Sequence, residues 1–127
     1  MTAAGDHSNE VDQFIRDEID SVPHLEALLL AWNSHPRRWS EEEMARALYL
    51  PPENARAILD DLVRRRLIAT SEGIYYYSEE PERDRLIGWV DSAYRRELIR
   101  ISRFIHSKPP AAVREFARAF RLKKERE

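Results

Sequence analysis

At 127 residues with 43% hydrophobic content the chain can fill one modest core, and its lack of cysteine excludes a disulfide framework, a thiolate metal site and a cysteine nucleophile. Met1 to Glu10 carries no basic segment followed by an apolar run, and no stretch reaches the roughly 18 apolar residues of a membrane span, so a cytoplasmic protein is expected. The net charge of −2 conceals an asymmetry: residues 1–20 stand at −5, residues 21–80 at −3 and residues 81–127 at +6, so the basic end is expected to pack on the acidic front or to meet an anionic partner.

In chain order, residues 1–8 read as a disordered leader. Val11, Phe14, Ile15 and Ile19 then recur at helical spacing, with Ser8 or Asn9 able to cap the start. A second helix follows a cap at Asp20 or Ser21, tolerates Pro23 in its first turn, and turns Leu25, Leu28, Leu29 and Trp32 inward. The segment Asn33 to Arg38, with Pro36, ends it. Ser40-Glu41-Glu42-Glu43 is a capping box, the Ser40 hydroxyl accepting from the Glu43 amide while the Glu43 carboxylate returns to the Ser40 amide. The short helix it opens, Glu41 to about Tyr49, is expected to be buried through Met44, Ala45 and Leu48.

Pro51-Pro52 separates that helix from the next, which runs from Pro52 to about Arg66 with Ala55, Ile58, Leu59 and Leu62 inward. Leu67 to Thr70 and Ile74 to Tyr77 read as strands joined at Ser71-Glu72-Gly73, a hairpin with glycine at its turn. In Tyr75-Tyr76-Tyr77, alternation places at least one ring in the core and at least one outside.

Glu79-Glu80-Pro81-Glu82 then opens a helix. From Arg83 to about His106 apolar residues fall at spacings of three and four, predicting one helix of about 36 Å at 1.5 Å per residue. That is long for one flank of so small a domain, so Leu86, Ile87, Val90, Tyr94, Leu98, Ile101 and Ile105 are expected to bury part of their stripe in a homodimer; a return of this stripe across the first helix, with Trp89 taking part, is the alternative. Lys108-Pro109-Pro110 breaks the helix. Ala111 to Leu122 reads as a short amphipathic helix with Val113, Phe116, Ala117 and Phe120 on one side and Arg114, Arg118 and Arg121 on the other. Its Phe pair is expected to dock on the dimer.

Helix, capped helix, Pro-led helix and hairpin together resemble the winged helix-turn-helix family of bacterial transcriptional regulators over residues 21–78, with Leu25 to Trp32, Ser40 to Leu48, Pro52 to Arg66 and Leu67 to Ser78 as its parts. The most telling stretch is Leu59 to Ile68, where a helix bearing paired leucines ends directly in an apolar strand. The implied fold is mainly α with a small two-stranded β-wing: a winged-helix domain over 9–80 including an extra N-terminal helix, then a C-terminal helical extension over 81–127. The implied function is DNA binding as a dimeric regulator, the second helix of the motif entering the major groove.

By position the resemblance implies that Asn54 and Arg56 read bases, Asn being able to grip adenine and Arg guanine, with Arg37, Arg38, Arg46 and Arg64 holding phosphates from the rim. Arg64 to Arg66 are equally explained as cations at a helix C-terminus. Glu53, Asp60 and Asp61 place carboxylates where a polyanion calls for Lys or Arg, and the wing tip carries Glu72. An alternative therefore stands beside DNA binding: a winged-helix adaptor whose acidic face, Glu53, Asp60 and Asp61, meets a basic protein while Arg114, Phe116, Arg118, Phe120 and Arg121 meet another partner.

Catalysis is not expected. His7, His24, His35 and His106 are scattered without a metal-ligand spacing, the three glycines form no phosphate-cradling loop, and no cofactor motif is present.

Overall fold

The computed structural model describes residues 7–109, which form six helices and a three-stranded antiparallel sheet. The elements are α1 (Ser8–Glu18), α2 (Val22–Ser34), β1 (Trp39–Ser40), α3 (Glu41–Leu48), α4 (Pro52–Arg64), β2 (Ala69–Ser71), β3 (Ile74–Tyr76), α5 (Pro81–Arg96) and α6 (Leu98–His106). This is a winged helix with flanking helices. The expected leader falls largely outside the described residues, and α1 already starts at Ser8 with His7 as its N-cap.

Local chemistry sets the element ends. The Ser21 hydroxyl accepts from the His24 amide at the start of α2, and the capping box at Ser40 is complete, with both of its bonds near 3 Å. Two helices end in the same way with unusual residues. At the end of α3 the Leu50 amide donates to the Ala45 carbonyl and Tyr49 takes a left-handed φ of 58°. At the end of α4 the Leu67 amide donates to the Leu62 carbonyl and Arg66 takes a φ of 62°. Both are left-handed C-terminal turns of the kind glycine favours.

Where sequence patterning predicts a two-stranded wing, a third strand joins: β1 pairs with β3 through Trp39 opposite Tyr75 and Ser40 opposite Ile74, giving the order β1-β3-β2. Two residues, the second of them the capping-box serine, carry no readable alternation, so β1 exists only through its partner. The hairpin closes as a two-residue loop with Ser71 opposite Ile74 and positive φ at both Glu72 and Gly73, the turn whose twist matches the strands it joins.

The predicted single helix from Arg83 to His106 is two helices. The chain leaves helical geometry at Glu97, φ −130° and ψ 47°, and α6 turns back along the domain. Periodicity could not reveal this, because Glu97 is an ordinary helix former and the apolar spacing continues across it. Tertiary contact decides the matter. Trp32 Nε1 donates to Asp84 at 2.9 Å, the Tyr94 hydroxyl donates to Glu26 at 3.1 Å, and the Trp89 ring stacks on His7 with centroids 3.4 Å apart. Arg100 in α6 reaches Asp12 in α1 at 3.4 Å. One buried cluster therefore runs from Val11 through Leu28, Leu59 and Ile87 to Ile105, each such aliphatic side chain contributing about 1.5–3 kcal/mol on burial.

Candidate nucleic-acid interface

The apolar side of α4, formed by Ala55, Ile58, Leu59 and Leu62, faces the core. Glu53, Asn54, Arg56, Ala57 and Asp60 consequently stand outward. Helix α3 packs directly against α4, and Glu41 at the start of α3 lies 3.9 Å from Arg56 Nε, which is also 3.9 Å from Asp60. Asp60 in turn accepts from the Tyr75 hydroxyl of β3 at 3.3 Å. On the other side, Arg37 lies 4.0 Å from Glu43. The outer surface is thus a strip in which bases and acids alternate.

These contacts do not lock the arginines. An exposed pair such as Arg56 with Asp60 contributes about 0–1 kcal/mol, and a phosphate or a base edge can compete for the guanidinium. The hydrogen bond from the Ser40 amide holds the Glu43 carboxyl below the usual range, with Arg37 and Arg46 adding to the effect against a desolvation penalty.

Arg37 and Arg38 rest on aromatic rings of the sheet. The Arg37 guanidinium sits 3.6 Å from the Trp39 ring centroid, and that of Arg38 sits 4.1 Å from Tyr76. Trp39 is itself 5% exposed and donates from Nε1 to Ser34. Stacking fixes two long side chains at modest entropy cost, and both residues remain exposed. Of the tyrosine run, Tyr75 and Tyr77 face inward while Tyr76 faces out beneath Arg38. Arg46 lies exposed on α3.

The remaining site residues separate by environment. Asp61 accepts from His24 Nε2 at 2.8 Å and from Arg64 at 2.7 Å, and only 28% of its side chain is exposed. Desolvation pushes its carboxyl upward, but the hydrogen bonds from His24 and Arg64 outweigh that and hold it below the ordinary aspartate range. It is therefore a tie between α2 and α4 more than a free acid of the outer face. Arg65 donates to the Asp17 carbonyl at 3.1 Å and to Asp20 at 3.2 Å, anchoring the end of α4 to α1. Position in sequence could not separate Asp60 from Asp61, or Arg64 from Arg65, because each pair points about 100° apart on one helix.

The fold also assembles a set that sequence spacing hides. Asp20, His24 and Asp61 offer ligand atoms within 4.8 Å of one another. Arg65 holds Asp20 and Arg64 holds Asp61, so a cation would have to displace two guanidinium groups, and the arrangement works as an ion-pair network. Tyr49 is a second residue the pattern did not single out. It is 94% exposed in the turn between α3 and α4.

Of the residues expected at a dimer interface, Ile87, Val90, Ile101 and Ile105 are buried in their own chain, and Leu86 and Tyr94 are half-buried. The stripe returns onto α1 and α2. What remains outward is Leu98 at 49% exposure, joined by Ile99 at 63%, which helical spacing had placed off the stripe. Arg114, Phe116, Arg118, Phe120 and Arg121 lie outside the described residues.

By sequence the chain matches no known family and no curated protein. By structure it is similar to a solved MarR family protein from Bacillus stearothermophilus, with a TM-score of 0.52 over 98% of this chain and 86% of that one, at 17% identity. A likeness at that identity shows the fold. Among the described residues, no helix is long and apolar enough to cross a membrane.

Proposed function

We propose that the protein is a winged-helix DNA-binding transcriptional regulator acting as a dimer in the cytoplasm. The observation that carries this reading is the presentation of α4: its apolar side is buried in the core, while Asn54 and Arg56 in its first turns are exposed, as are Arg37 and Arg38 ahead of β1. Base edges would be read by Asn54 and Arg56, and phosphates held by Arg37, Arg38, Arg46 and Arg64. The fold likeness and the resemblance of residues 21–78 to winged-helix regulators support it. Leu98 and Ile99 supply the apolar patch for the dimer. No step of this function calls for catalysis or a cofactor.

A panel of duplexes differing at single base pairs tests the base-reading assignment. Asn54→Ala and Arg56→Ala should each flatten the preference at one position, a change of about 1–3 kcal/mol between bases. Equal loss on every duplex would deny these residues a reading role.

A second reading, the adaptor with an acidic recognition face, is favoured by one observation: Glu41, Glu53, Asp60 and Glu72 crowd the surface that would approach DNA. Asp60→Asn separates the two. Removing this carboxylate should tighten DNA binding under the first reading, whereas under the second it should weaken binding to a lysine-rich peptide and slow its association at low salt.

A further inference from the structure

The acidic front of the chain folds into a groove. On α1, Glu10, Gln13, Phe14, Asp17 and Glu18 form with Leu86 of α5 a depression of about 490 Å³. A neighbouring depression shares Phe14, Glu18 and Leu86 and continues to Glu80 and Glu82. The floor is apolar, through Phe14 and Leu86, and the rim is acidic on both banks. Arg65 and Arg83 are the cations lining the second depression, and Arg65 is already engaged by Asp20 and Glu18.

The sequence holds a segment of the opposite character. Residues 111–122 carry Val113, Phe116, Ala117 and Phe120 at spacings of three and four, with Arg114, Arg118 and Arg121 on the other side of that helical pattern. We infer that this segment docks in the α1/α5 groove of its own chain, with its Phe pair over Phe14 and Leu86 and its long arginine side chains, all to one side of that stripe, reaching back to the acids of one bank.

The point of departure fits this occupant. The Lys108 amine donates to the carbonyl of Ile15 at 2.6 Å and to that of Ile19, so the chain leaves the described structure at the C-terminal end of α1. Residues 109–112 can span about 13 Å, a little more than the diameter of a helix, enough to pass round the end of α1. From there the segment would run antiparallel to α1, and twelve residues of helix cover about 18 Å against about 15 Å for Asn9 to Glu18. Tethering through so short a connection gives an effective concentration on the order of millimolar, which favours the chain's own segment over that of a second copy. Opposite charge at the rim adds steering and register.

The chain contains no cysteine, so a designed pair reports the docking directly. In the full chain, Gln13→Cys combined with Ala117→Cys should oxidise to an intramolecular disulfide, seen as a faster-migrating band at the mass of one 15.0 kDa chain. The yield should fall several-fold when Phe116→Ser and Phe120→Ser are added. A nitroxide on Gln13→Cys alone should broaden the amide resonances of residues 113–120. Absence of both signals overturns the inference, as does a cross-link found only at twice the chain mass, which would put the partner copy's segment in the groove. A yield indifferent to the loss of both Phe side chains overturns it as well.

Discussion

The Nε2 atom of His24 lies 2.8 Å from Oδ2 of Asp61, joining the first helix of the winged-helix motif to the helix that would meet DNA. Its Nδ1 atom meets the Ser21 hydroxyl at 2.6 Å, so both ring nitrogens are engaged. Asp61→Ala leaves Nε2 of this half-buried imidazole without its partner and should cost about 1–3 kcal/mol in denaturant unfolding. Asp60→Asn, on the outer side of the same helix, should change stability by no more than about 0.5 kcal/mol. Equal effects at the two positions would contradict the separation of tie from surface acid.

The same carboxylate shapes the response to acid. Because the folded-state pKa of Asp61 is lowered, its contribution is complete above the ordinary aspartate value near 4 and is lost as pH falls through the lowered one. Asp61→Asn should therefore flatten the acid limb of a stability profile. At the alkaline end the sign reverses. Tyr77 and Tyr94 are pushed up to about 12, chiefly by burial and then by the charges of Asp84 and Glu26 respectively. The stability they confer is complete below about 10 and lost as pH rises through about 12, so Tyr94→Phe should reduce the loss measured across that interval.

Among the described residues, three that carry side chains occupy the left-handed region: Tyr49, Arg66 and Glu72. Tyr49→Gly and Glu72→Asn should each raise the unfolding free energy by about 0.5–1 kcal/mol, because glycine and asparagine adopt that conformation at lower cost. Gly73→Ala, at φ 77° with open space around the new Cβ, should lower it by about 1 kcal/mol from backbone strain alone. If Tyr49→Gly stabilises the fold yet weakens DNA binding, the exposed ring belongs to the interface.

For the dimer, Leu98→Asp together with Ile99→Asp should yield a monomer in light scattering with unchanged helicity, since both side chains are outward. Ile101→Asp, fully buried, should instead lower stability by several kcal/mol. A chain that scatters as a monomer before any substitution would remove the dimer from the account.

Helices α1 to α4, the caps at Ser21 and Ser40 and the hairpin were legible because each rests on a local signal, such as the Ser40 to Glu43 box, the Pro52 start or the Gly73 turn, whereas the expected cap at Ser8 or Asn9 is replaced by His7. What was hidden is tertiary. The break at Glu97 follows from α6 packing back on α1 and α2, strand β1 exists only opposite Tyr75, and Asp61 becomes a tie only because His24 approaches from 37 positions away. The candidate site was legible by type and not by role: Asn54 and Arg56 stand outward as their spacing predicts, and the Trp39 ring beneath Arg37 is a local neighbour, whereas the Tyr76 ring beneath Arg38 comes from the β1–β3 pairing that only the fold supplies.

The most direct test of the central claim is a fluorescence-anisotropy titration of a labelled duplex across salt concentrations, with the wild-type chain and Arg38→Ala side by side. Affinity should fall steeply between about 50 and 200 mM salt, and Arg38→Ala should weaken binding to all sequences alike, with a log–log slope shallower by about one unit. No measurable affinity at about 50 mM salt, where phosphate contacts are strongest, would contradict it.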